Sequence, residues 1–537
     1  MPKVSYLKAE GRDWIVLPEE IAQQAQVQWL PPEDVRTYGT ALLVPHTTPM
    51  ASHLSYRGIP VEGRINHDYP YPGRFVPYDH QRVTSDFFTR FRRAYCANGI
   101  GTCKTLSALW AMDYLRQLGI IKRTLIVTTI STLDVIWQRE LFMTFPYLKA
   151  NVLYGDKARR QRLLDLPADV YIINHDGLKT MCDFTETYDD KLVIGASLFD
   201  DRPDINHVIV DECAIYRNSA PDNYMAIEHV AGPRSGVPRG LWMMSGSPMP
   251  KAPTDVWAQG RLMDHRNVPR YFSRFRDRVM RKVSEFKWVN KPGWEQTAFT
   301  ALQPCIRFKR EDCTDLPPCI VERRQVTLSP EQKKLYSQLK NQARVEMEEG
   351  ALTALNEGVK RTKFLQIASG IVYLDGRTEK ELNTANRKKV MLEVIEESGS
   401  KIIIFTPYTH CLRMVQRMIN AAGYSVGVVY GDVGKSARTE IFHNFQYGDL
   451  QVLLAHPQTM AHGLDLTASH TVLWWAPLDN WEIVDQANGR ITRPGQDVKQ
   501  TIVYLEGSPV EIGINNRNEA KESTQGLLLS LLEEGKL

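Results

Sequence analysis

The sequence alternates short apolar runs with amphipathic stretches in two separate blocks, and this alternation restricts the fold more than any other feature. Short runs of β-branched and apolar residues, separated by helical periodicity, are typical of parallel strands covered by helices on both faces. The runs are Thr124–Thr128, Val170–Ile173, His207–Val210 and Trp242–Met244 in the first block, and Lys401–Phe405, Val426–Val429, Val452–Leu454, Thr471–Trp474 and Thr501–Tyr504 in the second. The pattern predicts an α/β fold with two parallel-sheet domains.

The rest of the chain divides around these two blocks. With 537 residues, the chain is longer than one hydrophobic core usually accommodates. Charged, helical sequence separates the blocks, and a Pro-, Gly- and Tyr-rich segment precedes the first. We predict a small N-terminal module, a first α/β domain, a mainly helical insertion, a second α/β domain and a helical tail, at residues 1–74, 75–262, 263–385, 386–510 and 511–537.

Composition excludes several classes of protein. The chain has no apolar run near the ~20 residues that span a bilayer, and its start lacks the apolar core of a signal peptide. We therefore expect no membrane partner, and a cytosolic or nucleoid location. The eight cysteines form no C-x-x-C pair, so they are expected to be reduced thiols rather than metal ligands.

A glycine-rich segment, Ala97–Thr105, precedes an amphipathic stretch in the first block. Such a turn directs backbone N–H groups at phosphates, while a following lysine neutralises phosphate oxygens and a hydroxyl reaches Mg²⁺. The pattern G-x-x-x-x-G-K-T is imperfect, because Asn98 and Cys103 occupy its two glycine positions. We predict that nucleotide phosphates bind to the loop residues Gly99, Gly101, Thr102, Cys103, Lys104 and Thr105.

A pair of carboxylates follows another predicted strand, at Asp211 and Glu212. The carboxyl edge of a parallel sheet is where such folds present groups to ligands. A pair of this kind is more often a turn or a helix cap, but its position downstream of a phosphate loop favours catalysis. We predict that Asp211 holds Mg²⁺ together with Thr105, and that Glu212 activates the attacking water.

Two arginines lie three residues apart near the end of the second block, at Arg490 and Arg493. On a helix they would share one face, and guanidinium groups of this kind can stabilise charge on a transferring γ-phosphate. An ordinary solvated helix face is the alternative for such a pair considered alone.

Basic and aromatic residues are interleaved between Asp264 and Trp294. This segment has nine Lys or Arg residues against the three acids Asp264, Asp277 and Glu285. Such a composition suits contact with a nucleic-acid backbone, although a solvated amphipathic helix would give a similar pattern. We predict DNA contacts from Arg274, Arg278 and Lys282.

Taken together in this order, the segments resemble the Snf2-like group of superfamily 2 helicases. Tyr78–Gln81 resembles the adenine-reading Q motif, Cys96–Thr105 motif I, Thr128–Thr132 motif Ia, Asp211–Asn218 motif II, Ser245–Pro248 motif III, Ile402–Phe405 motif IV, His462–Thr467 motif V and Gln486–Arg493 motif VI. The resemblance implies adenine contact by Gln81, further nucleotide contacts by Gly463, Asp465 and Gln486, and DNA contacts by Thr128 and Thr129. Motif II usually has His at its fourth position, where this chain has Ala214.

The resemblance implies two RecA-like domains with ATP bound in the cleft between them. It also implies translocation on double-stranded DNA, driven by ATP and Mg²⁺ and usually without strand separation. A compact motor of bacterial or phage type is expected. Two alternatives stay open: a strand-separating or branch-migrating helicase acting on forks, junctions or R-loops, and a non-hydrolysing DNA-binding scaffold whose ATP site has decayed.

Overall fold

The computed structural model divides the chain into two compact units, the first ending at Cys313 and the second beginning at Thr314. Each unit contains one large parallel sheet. The structure describes residues 4–9, 11–28, 30–31, 34–74, 76–130, 132–186, 192–219, 221–249, 252–284, 287–309, 313, 319–348, 354–374, 378–460, 466–491 and 498–519.

The first unit opens with a small antiparallel sheet of order β1-β2-β4-β3. Its strands are β1 (Ser5–Ala9), β2 (Arg12–Leu17), β3 (Arg36–Tyr38) and β4 (Ala41–Pro45), accompanied by helices α1 (Glu19–Ala25), α2 (Thr48–Tyr56) and α3 (Ile65–Asp68). Alternate residues of β2, such as Ile15 and Leu17, are buried in a core of its own. The residues before 75 thus include a small sheet with its own hydrophobic cluster.

The large sheet of the first unit has seven strands in the order β15-β5-β12-β11-β6-β8-β7. The strands that follow β4 in this unit are β5 (Arg93–Cys96), β6 (Arg123–Thr128), β7 (Ala150–Val152), β8 (Val170–Asn174), β9 (Cys182–Glu186), β10 (Leu192–Ser197), β11 (Ile205–Asp211), β12 (Gly240–Met244), β13 (Met280–Ser284), β14 (Lys287–Asn290) and β15 (Cys305–Ile306). Strand pairs β9–β10 and β13–β14 form separate antiparallel hairpins.

Helices cover both faces of this sheet. They are α4 (Asp79–Arg90), α5 (Lys104–Gln117), α6 (Arg139–Thr144), α7 (Lys157–Asp165), α8 (His175–Thr180), α9 (Asp222–Ala231), α10 (Val256–Met263), α11 (Phe272–Val279) and α12 (Trp294–Ala301). Two buried clusters lie on opposite faces, because neighbouring residues of β11 such as Val208 and Ile209 belong to different clusters.

The second unit has a six-stranded parallel sheet of order β16-β23-β22-β19-β21-β20. Its strands are β16 (Cys319–Gln325), β17 (Ile371–Leu374), β18 (Thr378–Glu381), β19 (Lys401–Phe405), β20 (Val426–Val429), β21 (Val452–Ala455), β22 (Ser469–Trp474) and β23 (Gln500–Glu506), with β17 and β18 in a separate hairpin. The helices are α13 (Pro330–Glu348), α14 (Ala354–Ser369), α15 (Ala385–Ser398), α16 (Thr409–Ala421), α17 (Lys435–Tyr447) and α18 (Trp481–Asn488), and a further helix covers 509–519.

All nine apolar runs are strands of the two large sheets, which confirms the predicted α/β class with two parallel-sheet domains. The segment predicted as a helical insertion, 263–385, is instead divided between the two units. Strand β16 pairs along its whole length with β23, so the second sheet begins at Cys319. Phe275 and Ala298 are buried in the first unit's core, which is why the first unit extends past the predicted boundary.

The N-terminal module is bound to helix α4 by buried polar contacts. The Asp86 carboxylate accepts a hydrogen bond from the Gly63 backbone N–H at 3.0 Å, and Arg90 donates to the Val61 carbonyl at 2.7 Å. A Cβ at Gly63 would lie 1.5 Å from Asp86 Oδ1, so this approach requires glycine. The module is therefore packed on the helix that begins with the Q-like motif. Among the described residues, no helix is long and apolar enough to cross a membrane.

Candidate nucleotide site

The glycine-rich loop follows β5 and ends where α5 begins, at Lys104. Its backbone turns through positive φ at Gly101 (+84°) and at Cys103 (+55°). Position 103 is the second of the two positions where the sequence pattern calls for glycine. The left-handed backbone there gives the physical reason for that preference. The structure thus gives this loop the required turn with a cysteine at a strained position.

Lys104 is folded back onto the loop. Its Nζ donates to the carbonyl oxygens of Asn98 and Gly99, both at 3.0 Å. Helix α5 begins at Lys104 without a side-chain cap, so its first-turn N–H groups, including that of Thr105, are not satisfied by a capping side chain. A lysine beside an uncapped helix N-terminus is suited to bind phosphate.

Asn98 occupies a position where the pattern expects glycine, and its side chain anchors the loop to neighbouring segments. It is buried, and its Nδ2 donates to Thr84 Oγ1 at 2.9 Å while its Oδ1 accepts from the Phe308 N–H at 2.9 Å. The loop is thereby attached to α4 and to the segment that follows β15. Within the loop, Thr102 Oγ1 donates to the Gly99 carbonyl at 2.8 Å.

Gln81 lies in the first turn of α4 and is almost fully buried. Its Oε1 accepts a hydrogen bond from the Tyr78 N–H at 3.0 Å, so the side chain caps the helix. The neighbouring His80 contacts the Thr102 carbonyl through Nε2 at 3.1 Å, and burial lowers the pKa of His80. This contact ties the Q-like motif to the loop, and adenine contact by Gln81 stays a prediction.

Asp211 lies at the carboxyl end of β11 and is held by three hydrogen bonds. Its Oδ2 accepts from Trp137 Nε1 at 3.0 Å and from Thr128 Oγ1 at 3.3 Å, while its Oδ1 accepts from the Glu212 N–H at 3.1 Å. Burial raises the pKa of Asp211, and the Trp137 N–H and the Lys104 charge oppose that rise. Glu212 has a positive φ of 51°, a strained backbone of the kind that often marks functional sites.

Thr128 was predicted to contact DNA, but its side chain contacts Asp211 instead. Its side chain is fully buried beside Asp211, which argues against a DNA contact by this side chain. Thr128 Oγ1 also lies 2.6 Å from Thr132 Oγ1, and Thr129 Oγ1 lies 3.0 Å from the same atom. Thr129 is partly exposed, so its DNA contact stays a prediction.

Trp137 is the residue of this site whose role sequence reasoning missed. It lies on a π-helix, Leu133–Gln138, a conformation that is frequent at functional sites. Its side chain is completely buried and aims its only donor at Asp211. A buried tryptophan near motif Ia was visible in the sequence, but its partner lies 74 residues away.

The segment Ser245–Pro248 follows β12 and packs against the phosphate loop. A Cβ at Gly246 would lie 3.1 Å from Ile100 Cγ1 and 3.4 Å from the Ile100 nitrogen. Arg307 also bridges the two segments, donating to the Ala97 carbonyl and, at 3.5 Å, to that of Gly246. A shift of the Ser245–Pro248 segment would therefore displace the phosphate loop, and the reverse also holds.

In the second unit, Gln486 lies on α18 and is mostly buried. The helix ends at Asn488 with Gly489 as its cap, so the prediction that Arg490 lies on a helix face is wrong. Arg490 is buried in the turn that follows, and Arg493, Gly463 and Asp465 lie outside the described residues.

The predicted DNA-binding residues Arg274 and Arg278 are exposed on α11, and Lys282 is exposed on β13. The opposite face of α11 buries Phe275 and Val279. The segment is thus an amphipathic helix whose outer face is basic. One cation of this segment also packs on an aromatic ring: the Arg276 guanidinium lies 3.9 Å from the centre of the Trp288 ring.

The residues present fit a magnesium nucleotide. Thr105 and Asp211 provide the hydroxyl and carboxylate oxygens that Mg²⁺ prefers, and Mg²⁺ commonly takes few protein ligands. The described residues contain no cluster of three or more His, Cys, Asp or Glu side chains that would hold another kind of metal ion.

A phosphate loop with its lysine, a carboxylate pair at a strand end and two parallel sheets define an ATP-hydrolysing protein of the helicase class. Comparison with protein families matches residues 96–386 to the SNF2-related domain and residues 386–495 to the helicase conserved C-terminal domain. The chain therefore belongs to the SNF2-related family, which confirms the resemblance seen in its motifs. Members of this family are ATP-hydrolysing enzymes, and the chain is accordingly an ATPase core of this type.

Individual relatives are distant. The protein p41 of Acyrthosiphon pisum secondary endosymbiont phage 1 is 23% identical over 86% of this chain and 99% of its own length. YwqA of Bacillus subtilis, named as an ATP-dependent helicase/translocase, is 22% identical over 75% of this chain and 43% of its own length. A Sulfolobus solfataricus SWI2/SNF2 ATPase core in complex with dsDNA shares 17% identity over 86% of this chain and 96% of its own, with a TM-score of 0.39, which is too low to support further inference.

Proposed function

We propose that this chain uses ATP hydrolysis to translocate on double-stranded DNA and thereby remodels DNA or protein–DNA structures. The observation that carries the proposal is the Asp211 carboxylate, held by Trp137 and Thr128 at a strand end and influenced by the charge of Lys104. Burying a carboxylate costs free energy even when it is hydrogen-bonded, and buried groups with perturbed pKa values are concentrated at functional sites.

The chain's own residues have distinct tasks in this proposal. The loop from Gly99 to Thr105 binds the phosphates of ATP, and Lys104 exchanges its two loop carbonyls for phosphate oxygens. Thr105 and Asp211 hold Mg²⁺, which supplies charge neutralisation at the phosphates. Glu212 orients and deprotonates the attacking water.

Further roles rest on the family. We propose that Gln81 reads adenine, that Gly463, Asp465 and Gln486 contribute further nucleotide contacts, and that Arg490 and Arg493 stabilise charge on the γ-phosphate. DNA is bound through its phosphates, with Thr129, Arg274, Arg278 and Lys282 among the contacts. We also propose action in the bacterial cytosol or nucleoid or in a phage-infected cell, since one relative is a phage protein.

A strand-separating helicase acting on forks or junctions is the second candidate. The observation in its favour is the β13–β14 hairpin, which carries exposed Arg281, Lys282 and Val283. An exposed basic hairpin that follows the basic helix α11 is suited to contact the strands at a fork.

Steady-state ATP hydrolysis with duplex, single-stranded and forked DNA tests the proposal. We expect stimulation by plain duplex that is abolished in Lys104→Ala and in Glu212→Gln. The exposed Lys122 provides the matched control, and Lys122→Ala should behave as wild type. Preference for forks, with strand separation, would favour the second candidate. Absence of hydrolysis with every DNA would refute the motor and support a DNA-binding scaffold.

A further inference from the structure

A chain of buried hydrogen bonds connects the carboxylate pair with the Ser245–Pro248 segment. Cys213, the residue after Glu212, donates its S–H to Tyr95 Oη at 3.2 Å. Tyr95 donates its O–H to Gln259 Oε1 at 2.7 Å. Gln259 Nε2 donates to the Pro248 carbonyl at 2.7 Å and to the Asp255 carbonyl at 2.9 Å.

Each of the three side chains in this series of hydrogen bonds has a partner and is buried. Cys213, Tyr95 and Gln259 are each 0% exposed. Burial raises the pKa of the Tyr95 hydroxyl, so this group remains a protonated donor. Gln259 uses its amide oxygen and both amide hydrogens. Fully satisfied networks of this kind hold their members in one arrangement, while a partly satisfied one is costly.

Tyr95 and Cys213 lie next to the residues proposed to bind and hydrolyse ATP. Tyr95 is on β5, directly before the phosphate loop, and Cys213 follows the proposed water-activating Glu212. Helix α10, which carries Gln259, is packed closely against α12, because a Cβ at Gly260 would lie 2.6 Å from the Ala301 carbonyl. The contacts from Cys213 through Tyr95 and Gln259 to the Pro248 carbonyl therefore offer a route by which a shift at one end can reach the other.

We propose that Gln259 and Tyr95 are positioning residues that couple the hydrolysis site to the Ser245–Pro248 segment. The inference rests on the proposed function, since it concerns how DNA engagement is transmitted to ATP turnover.

The test compares Tyr95→Phe, Gln259→Leu and the double variant. The measurements are the ratio of duplex-stimulated to DNA-free ATP hydrolysis, the KM for ATP and the melting temperature. We expect each single variant to lower the ratio about tenfold, which corresponds to a coupling within the range found for hydrogen-bonded neighbours. The ratio in the double variant should be little lower than in the worse single variant, because both substitutions break the same series of hydrogen bonds.

Two matched controls separate coupling from simple loss of stability. Tyr171→Phe removes a buried hydroxyl from β8 of the same sheet, where it donates to the Leu166 carbonyl at 2.9 Å. Gln332→Leu removes a buried amide that donates to the Ile367 and Ala368 carbonyls at 2.8 and 3.0 Å. Both controls should keep the wild-type ratio even where they lower the melting temperature.

The outcomes are distinguishable. A wild-type ratio in Tyr95→Phe and Gln259→Leu would overturn the inference and leave the proposed function intact, whatever happens to the melting temperature. A wild-type protein without duplex-stimulated hydrolysis would overturn both. If Gln259→Leu does not fold, Tyr95→Phe and Cys213→Ala make the same comparison with smaller changes.

Discussion

Replacing Trp137 with phenylalanine tests whether the buried indole keeps Asp211 ionised for Mg²⁺. The substitution keeps an aromatic ring in the cavity but removes the N–H that donates to Asp211 Oδ2 at 3.0 Å. A hydrogen bond to a charged group contributes about 1.5–3 kcal/mol. Its loss should therefore raise the pKa of Asp211.

The sign follows from the form that the bond stabilises. The Trp137 N–H favours the ionised carboxylate, so its loss raises a pKa that burial has already raised. The acidic limb of the pH profile of kcat/KM for MgATP should therefore move to higher pH. Trp242→Phe is the matched control, because Trp242 is equally buried and donates to the Phe91 carbonyl at 2.9 Å. An unchanged acidic limb in Trp137→Phe, or an equal shift in the control, would refute this reasoning.

Two further predictions concern the loop and the basic helix. Cys103→Gly should hydrolyse ATP at least as well as wild type, while Cys103→Val should be less stable to urea by about 1–2 kcal/mol, because a β-branched side chain is added at positive φ; the reverse order would show that the cysteine is needed for itself. Neutralising the basic face of α11 and β13 should reduce the slope of log affinity for duplex against log salt by about two to three, as expected when three phosphate contacts are lost. Fluorescence anisotropy measures this slope in the triple Ala variant of Arg274, Arg278 and Lys282, and an unchanged slope, or an equal change in the triple Ala variant of the exposed Lys122, Lys149 and Arg162, would contradict it.

The strands were predictable because their signal is local. A run such as Val208–Val210 is apolar whatever its neighbours do, and a parallel strand covered on both faces requires that pattern. Strand β5 (Arg93–Cys96) escaped detection because it is short and begins with arginine, and β16 escaped because Glu322–Gln325 is charged and polar. An edge strand such as β16 is half-exposed, so it does not need an apolar run.

The site divides in the same way between local and distant signals. Lys104, Thr105, Asp211 and Glu212 could be chosen from the sequence, since the chemistry of each depends on the few residues beside it. The partners that hold these groups come from far along the chain: Trp137 lies 74 residues from Asp211, and Tyr95 lies 164 residues from Gln259.

The departures from the expected pattern show why those distant partners matter for interpretation. Asn98 and Cys103 suggested a weakened phosphate loop when considered as sequence. In the structure, Asn98 fastens the loop to α4 at 2.9 Å, and only Cys103 carries a backbone strain that glycine would relieve. A substituted motif position is therefore a sign of decay only when the new side chain has nothing to bind. By that criterion Asn98 argues for a maintained site. The positive φ of Cys103, a separate ground, makes it the one position of the loop where we expect reversion to glycine to help.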